Sequence, residues 1–292
     1  MAFASRAGRI VAALAVAGAA LVGAPGSAPA REANASAAAA CDADQGYWLT
    51  ALDGGVFAYG RARFLGSTAD QKLNAPVVAI APTVTGNGYW LASLDGGIFA
   101  FGDAPFRGSA GGTKLNKPIF NMARTPTGDG YWLVASDGGV FSFGDARFYG
   151  SAATLPLESP IISIVATPTS KGYWLVAEDG GVFAYGDAVF RGSTGGQTLN
   201  APIVAAMTNP TGDGYWLVAA DGGVFAFNVP FFGSAGSVPL ELPMIAAAPS
   251  RTGSGYRLAA LDGGVFAYGD AQFCGSTGDI QLELPVIGMA TA

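Results

Sequence analysis

Apolar and polar positions along this chain follow one short cycle. In GYWLVASDGGVFSFGDARFYGS, Gly130 to Ser151, an aromatic and branched run is cut by DGG, resumes as VFSFG, is cut by DA and resumes as RFYGS. Asp-Gly and Gly-Gly supply the positive φ angles of tight turns, so the first two runs predict a β-hairpin. After a loop of about ten residues comes PIISIVAT, Pro160 to Thr167, a near-continuous apolar run that ends in the turn chemistry of PTSKG. The cycle predicts four short strands and no helix. The continuous run predicts a strand buried on both faces, because such burial removes the polar half of the alternation.

The cycle repeats. Gly-Tyr pairs begin at Gly46, Gly88, Gly130, Gly172, Gly214 and Gly255, at intervals of 42, 42, 42, 42 and 41. The shorter interval comes from a one-residue deletion in FNVPFFGS, Phe227 to Ser234. Four strands in a 42-residue unit, six times over, predicts an all-β fold: a six-bladed β-propeller of four-stranded blades. A hairpin solenoid is the competing architecture, and the apolar strand after each hairpin argues against it.

The ends match. The repeats open at GYWLTA, a second strand, and finish with PVIGMATA, Pro285 to Ala292, a first strand with nothing after it. Ala292 aligns with Thr83, five residues before Gly88, just as Cys41 lies five before Gly46. The C-terminal strand is therefore expected to complete the blade begun at Gly46 and close the ring, leaving no open sheet edge.

The first thirty residues differ from the rest. Arg6 and Arg9 precede an apolar run, Ile10 to Val22, and then Ala28-Pro29-Ala30, which is the layout of a secretory signal peptide. The expected organisation is a signal peptide over 1–30, an Ala-rich linker over 31–45 and the propeller over 46–292. Removing the signal changes the formal charge to 13 − 21 = −8. An acidic, sparsely charged chain argues against nucleic acid and against anionic lipid surfaces. Export places Cys41 and Cys274 in a disulfide-permissive compartment; they either pair or remain two thiols.

The repeated GYWLVAxDGGVFAFGDAxFxGS, with PIVxxxxTPTGxGYW, resembles a tandem repeat of exported proteins from high-GC Gram-positive bacteria. There it often accompanies cell-wall hydrolases or other secreted catalytic domains. The resemblance spans Gly46 to Ala292. It implies a secreted, propeller-like accessory module, brings no ligand with it, and carries no functional residue across.

The chemistry is sparse. With no histidine, a Ser-His-Asp triad, His-based zinc sites and His general bases are excluded. GSAGGTK, Gly108 to Lys114, has the wrong spacing for a phosphate loop. The hairpin aspartates Asp53, Asp95, Asp137, Asp179, Asp221 and Asp262 could form a ligand ring, but Asp before Gly-Gly ordinarily bonds its own turn. A second set, Asp103, Asp145, Asp187 and Asp270, is incomplete, since Arg61 stands in the first copy and the deletion disturbs the fifth.

Trp48, Trp90, Trp132, Trp174 and Trp216 share one strand position, and Arg257 holds it in the sixth copy. Packing between blades is the ordinary role of such tryptophans. An unpaired guanidinium in an enclosed slot is costly, so Arg257 predicts a route to solvent and makes all six positions candidate ligand contacts. Asn121 and Arg124 depart from the repeat in a first strand and could mark the polar mouth of the central channel. The expected role is a secreted or cell-wall-associated, non-catalytic, multivalent module for envelope polysaccharide or another extracellular protein. No cofactor, metal, nucleic acid or membrane insertion is expected. The alternatives are a carboxylate-based glycosidase or lyase at the channel mouth and a purely structural scaffold.

Overall fold

The structure, a computed structural model, describes residues 41–42 and 44–292. The expected signal peptide and most of the expected linker lie outside the described residues. Among these residues, eighteen strands form six three-stranded antiparallel sheets. Sheet 1 joins β1 (Gly46–Ala51) and β2 (Val56–Gly60) to β18 (Val286–Thr291). Sheet 2 is β3 (Val77–Pro82), β4 (Gly88–Ser93) and β5 (Ile98–Gly102). Sheet 3 is β6 (Ile119–Arg124), β7 (Gly130–Ala135) and β8 (Val140–Gly144). Sheet 4 is β9 (Ile161–Ala166), β10 (Gly172–Ala177) and β11 (Val182–Gly186). Sheet 5 is β12 (Ile203–Thr208), β13 (Tyr215–Ala219) and β14 (Val224–Phe227). Sheet 6 is β15 (Met244–Pro249), β16 (Gly255–Ala260) and β17 (Val265–Gly269).

Burial explains the sequence pattern. The middle strands, GYWLVA and its copies, are buried at every residue, so nothing polar needs to alternate with the apolar side chains. Each of six hydrophobic clusters bridges two neighbouring sheets. One holds Trp132 of sheet 3 with Ile164 and Tyr173 of sheet 4, and another holds Tyr47 of sheet 1 with Ala259 of sheet 6. The inner strands touch in cyclic order, β18 lying between β15 and β3. In sheet 1 the last strand of the chain pairs with the first, Trp48 opposite Ala290, in the register the sequence repeat requires.

The hairpin turn is set by glycine and aspartate together. Gly138 has φ 82°, and a Cβ there would meet the Ala152 side chain at 2.6 Å, so both backbone angle and space demand glycine. The deletion in the fifth copy is absorbed by Asn228 at φ 54°, a conformation asparagine tolerates; its side-chain amide donates to Asp213 O at 2.8 Å.

One expectation is corrected. RFYGS and its copies do not form a fourth strand; each sheet has three. The reason lies in where the segment's backbone groups go. In this copy Arg147 O accepts from Trp132 Nε1, while Tyr149 N and Gly150 N both donate to the Tyr173 hydroxyl. Side chains take the hydrogen bonds that a ladder would have used.

Candidate functional site

The tryptophan positions are not a surface. All five Trp side chains and Arg257 are 0–2% exposed, which overturns the route to solvent expected from Arg257. Each indole donates Nε1–H to a carbonyl in the outer segment of its own repeat: Arg63, Pro105, Arg147, Val189 and Pro230, at 2.8–2.9 Å. Each ring also packs against the tyrosine of the next sheet, with centroids 5.3–5.6 Å apart. These six residues tie neighbouring sheets together and are closed off from solvent.

Arg257 is enclosed yet not unpaired, and there the sequence argument failed. Its Nε donates to Gln272 O at 2.7 Å, fifteen residues on, as the indole nitrogen does in the first four copies. One terminal nitrogen donates to Gln45 Oε1 at 2.5 Å, and the guanidinium carbon lies 5.0 Å from the Tyr47 ring centroid, a cation–π distance. The other terminal nitrogen has no partner. Beside this pair Cys41 and Cys274 form a disulfide, Cα–Cα 5.1 Å, and Asp42 bonds Gln272 through both its backbone N–H and its carboxylate. Residues 41, 42 and 45, expected as the end of a linker, are thus bound to the sixth repeat.

Both aspartate sets are occupied by the fold. Every hairpin aspartate accepts from the backbone N–H of the second glycine after it, at 2.8–3.0 Å. In the second set, Asp103 accepts from Thr83 and Thr85, Asp145 from Thr125 and Thr127, Asp187 from Thr167 and Thr169, and Asp270 from Thr252. Where the aspartate is absent, its inner threonine partner is absent too: Arg61 goes with Ala292, and Asn228 with Asn209. This covariation inside one chain marks a structural latch.

Two surfaces remain. The first is a set of six phenylalanines that sequence reasoning passed over: Phe64, Phe106, Phe148, Phe190, Phe231 and Phe273, one per repeat and 42–61% exposed. Each sits between two pinned backbone groups. The carbonyl before it accepts from the Trp of its own repeat, or from Arg257 in the sixth, and the N–H after it donates to a tyrosine hydroxyl of the next sheet. That hydroxyl in turn donates to the next carbonyl. The buried aromatics fix the chain, and the exposed aromatic is what they present. Its spacing was visible in the FxGS motif; its exposure was not, because apolarity alone predicts burial.

The second surface is the central cavity, about 640 Å³, lined by the inner strands and the turns that follow them. Asn121, within β6, and Arg124, at its end, both line it. No aspartate or glutamate side chain lines it, so the paired acids required by a carboxylate-based hydrolase are missing from this wall.

No family model and no curated protein matches the chain. Among solved structures it is similar to the β-propeller domain of Myceliophteria thermophila Cps50 (Swd1), at TM-score 0.51 and 12% identity, over 85% of this chain and 82% of that one. At that identity the likeness bears on fold alone, and with the six sheets it makes the fold of this chain that of a β-propeller.

Proposed function

We propose that this protein is an exported, closed six-bladed propeller, completed by its C-terminal strand, that binds envelope polysaccharide multivalently and catalyses no reaction. The observation that carries the reading is the set of six pinned, outward phenylalanines. Singly exposed apolar side chains are ordinary on a protein surface; six at one repeat position, each held by the same two clamps, are not a scatter. A flat aromatic ring suits the apolar face of a sugar. An arginine adjoins the phenylalanine in four copies, at Arg63, Arg107, Arg147 and Arg191, and supplies hydrogen bonds to hydroxyl or acidic groups. Six weak equal contacts on a repetitive polymer gain avidity through effective concentration.

The test is co-sedimentation with purified cell-wall polysaccharide from a Gram-positive bacterium. Phe106→Ala should weaken retention, Phe106→Ala with Phe148→Ala should weaken it further, and the thermal midpoint should barely move because the rings are exposed. Wild-type protein that stays in the supernatant, or variants that sediment like wild type, would refute this reading.

A further inference from the structure

The charged side chains that line the cavity are all cationic. Arg124 ends β6, Arg251 lies in the turn after β15, and Arg61 follows Gly60, which pairs with Gly46 at the start of β1. All three therefore stand where the inner strands finish, and all three line the cavity. Each is a departure from the repeat. Arg61 replaces the latch aspartate, Arg251 replaces valine or proline, and Arg124 replaces a residue that is threonine, alanine or proline in the other inner strands. Three independent departures converge on one opening.

Their donors are largely free. Among the described residues the one ion pair is Arg107–Asp129, on the exterior. Arg124 is half-buried, and of its five N–H donors one is used, toward Thr125 O at 3.1 Å. Desolvation holds its pKa below the usual arginine value, the mark of a charge without a counter-ion. Of the acids near the ends of the inner strands, Asp103, Asp145, Asp187 and Asp270 are engaged by threonine hydroxyls, Asp213 accepts from Thr211 and Asp129 pairs with Arg107. Ala292 also lines the mouth. Its main-chain carbon and an Arg61 terminal nitrogen both lie beside Gly86, and Arg124 and Arg251 are the other two cations there. Along the inner strands the partly exposed lining side chains include apolar ones, Val204, Ala206, Ile245 and Ala247.

We propose that the channel binds an anionic amphiphile: a carboxylate or phosphate group held at the mouth by Arg124 and Arg251, with an apolar portion along the inner strands. This site is separate from the phenylalanine rim and does not depend on it. Isothermal titration calorimetry at low ionic strength on the purified protein tests it, with hexyl phosphate, hexanoate, inorganic phosphate and hexanol as probes. Hexyl phosphate or hexanoate should bind at one site per chain, more tightly than inorganic phosphate or hexanol, and whichever binds better identifies the head group. Arg124→Ala should weaken binding about tenfold or more. Arg251→Ala, at an exposed turn where folding is not at risk, should weaken it several-fold, while Arg63→Ala and Phe148→Ala should leave it unchanged. Absence of saturable binding by any probe, or equal binding by Arg251→Ala and wild type, would overturn the proposal.

Discussion

Five of the six contacts between neighbouring sheets are made one way, and the sixth another. At the five, a tryptophan bonds its own outer segment and packs on the next sheet's tyrosine. At the seam between sheets 6 and 1, Arg257 makes the corresponding bond to Gln272 O and lies against Tyr47. What persists is the hydrogen-bond plan; what is lost is the indole's apolar area. An indole has one donor and uses it, whereas a guanidinium has five and here leaves a terminal nitrogen unpaired in a buried position. The seam also collects the disulfide and the Gln45 and Asp42 contacts. The disulfide ties the residues just before β1 to the outer segment of the sixth repeat, so a covalent bond accompanies the one contact made without an indole.

The broadest way to break the comparison is alkali, which attacks all six contacts together. Burial raises the pKa of Tyr47, Tyr89, Tyr131, Tyr173, Tyr215 and Tyr256, with Tyr89 pushed up to about 12. The folded state therefore keeps protons that the unfolded chain releases near pH 10. Their contribution to stability is full below about pH 10 and is lost as pH rises through the folded values. Circular dichroism melts between pH 8 and 12 should show a midpoint that falls steeply above pH 10.

Next is Trp132→Ala, which empties one regular contact and should cost about 3–5 kcal/mol by urea titration. Cys274→Ala should cost about 2–4 kcal/mol, since the bond closes a separation of 233 residues and its loss frees the unfolded chain. Equal loss on adding reductant to wild type would attribute the effect to the bond and not to packing. The smallest change should run the other way. Arg257→Trp with Gln45→Leu converts the seam to the regular contact, removes the unpaired nitrogen and should raise stability by about 1–2 kcal/mol. A loss would mean that the seam's geometry, and not its side chain, differs from the other five.

The repeat, the order of strands in each unit and the role of the hairpin aspartates were legible because they are local. Turn chemistry and hydrophobic period act within a few residues, and six copies average out the exceptions. The pairing of β18 with β1 was legible as well, since a repeat that ends in register can be completed only by its own start. The fourth strand was not legible. RFYGS has the composition of a strand, but its hydrogen bonds go to a tryptophan of its own repeat and a tyrosine of the next. The exposure of the tryptophan positions was misjudged for the same reason. Trp132 and Phe148 are both large, aromatic and repeated; only the position of the adjoining sheet makes one interior and the other surface.

By itself, then, the sequence determined the number of units, their turns and the register in which the two ends meet, because each follows from covalent spacing and local conformational preference. The tertiary structure alone decided which aromatics face water, how Arg257 meets a glutamine 212 residues away, and that three scattered arginines share one opening. Those outcomes depend on which sheet lies beside which, and nothing within a single repeat records that.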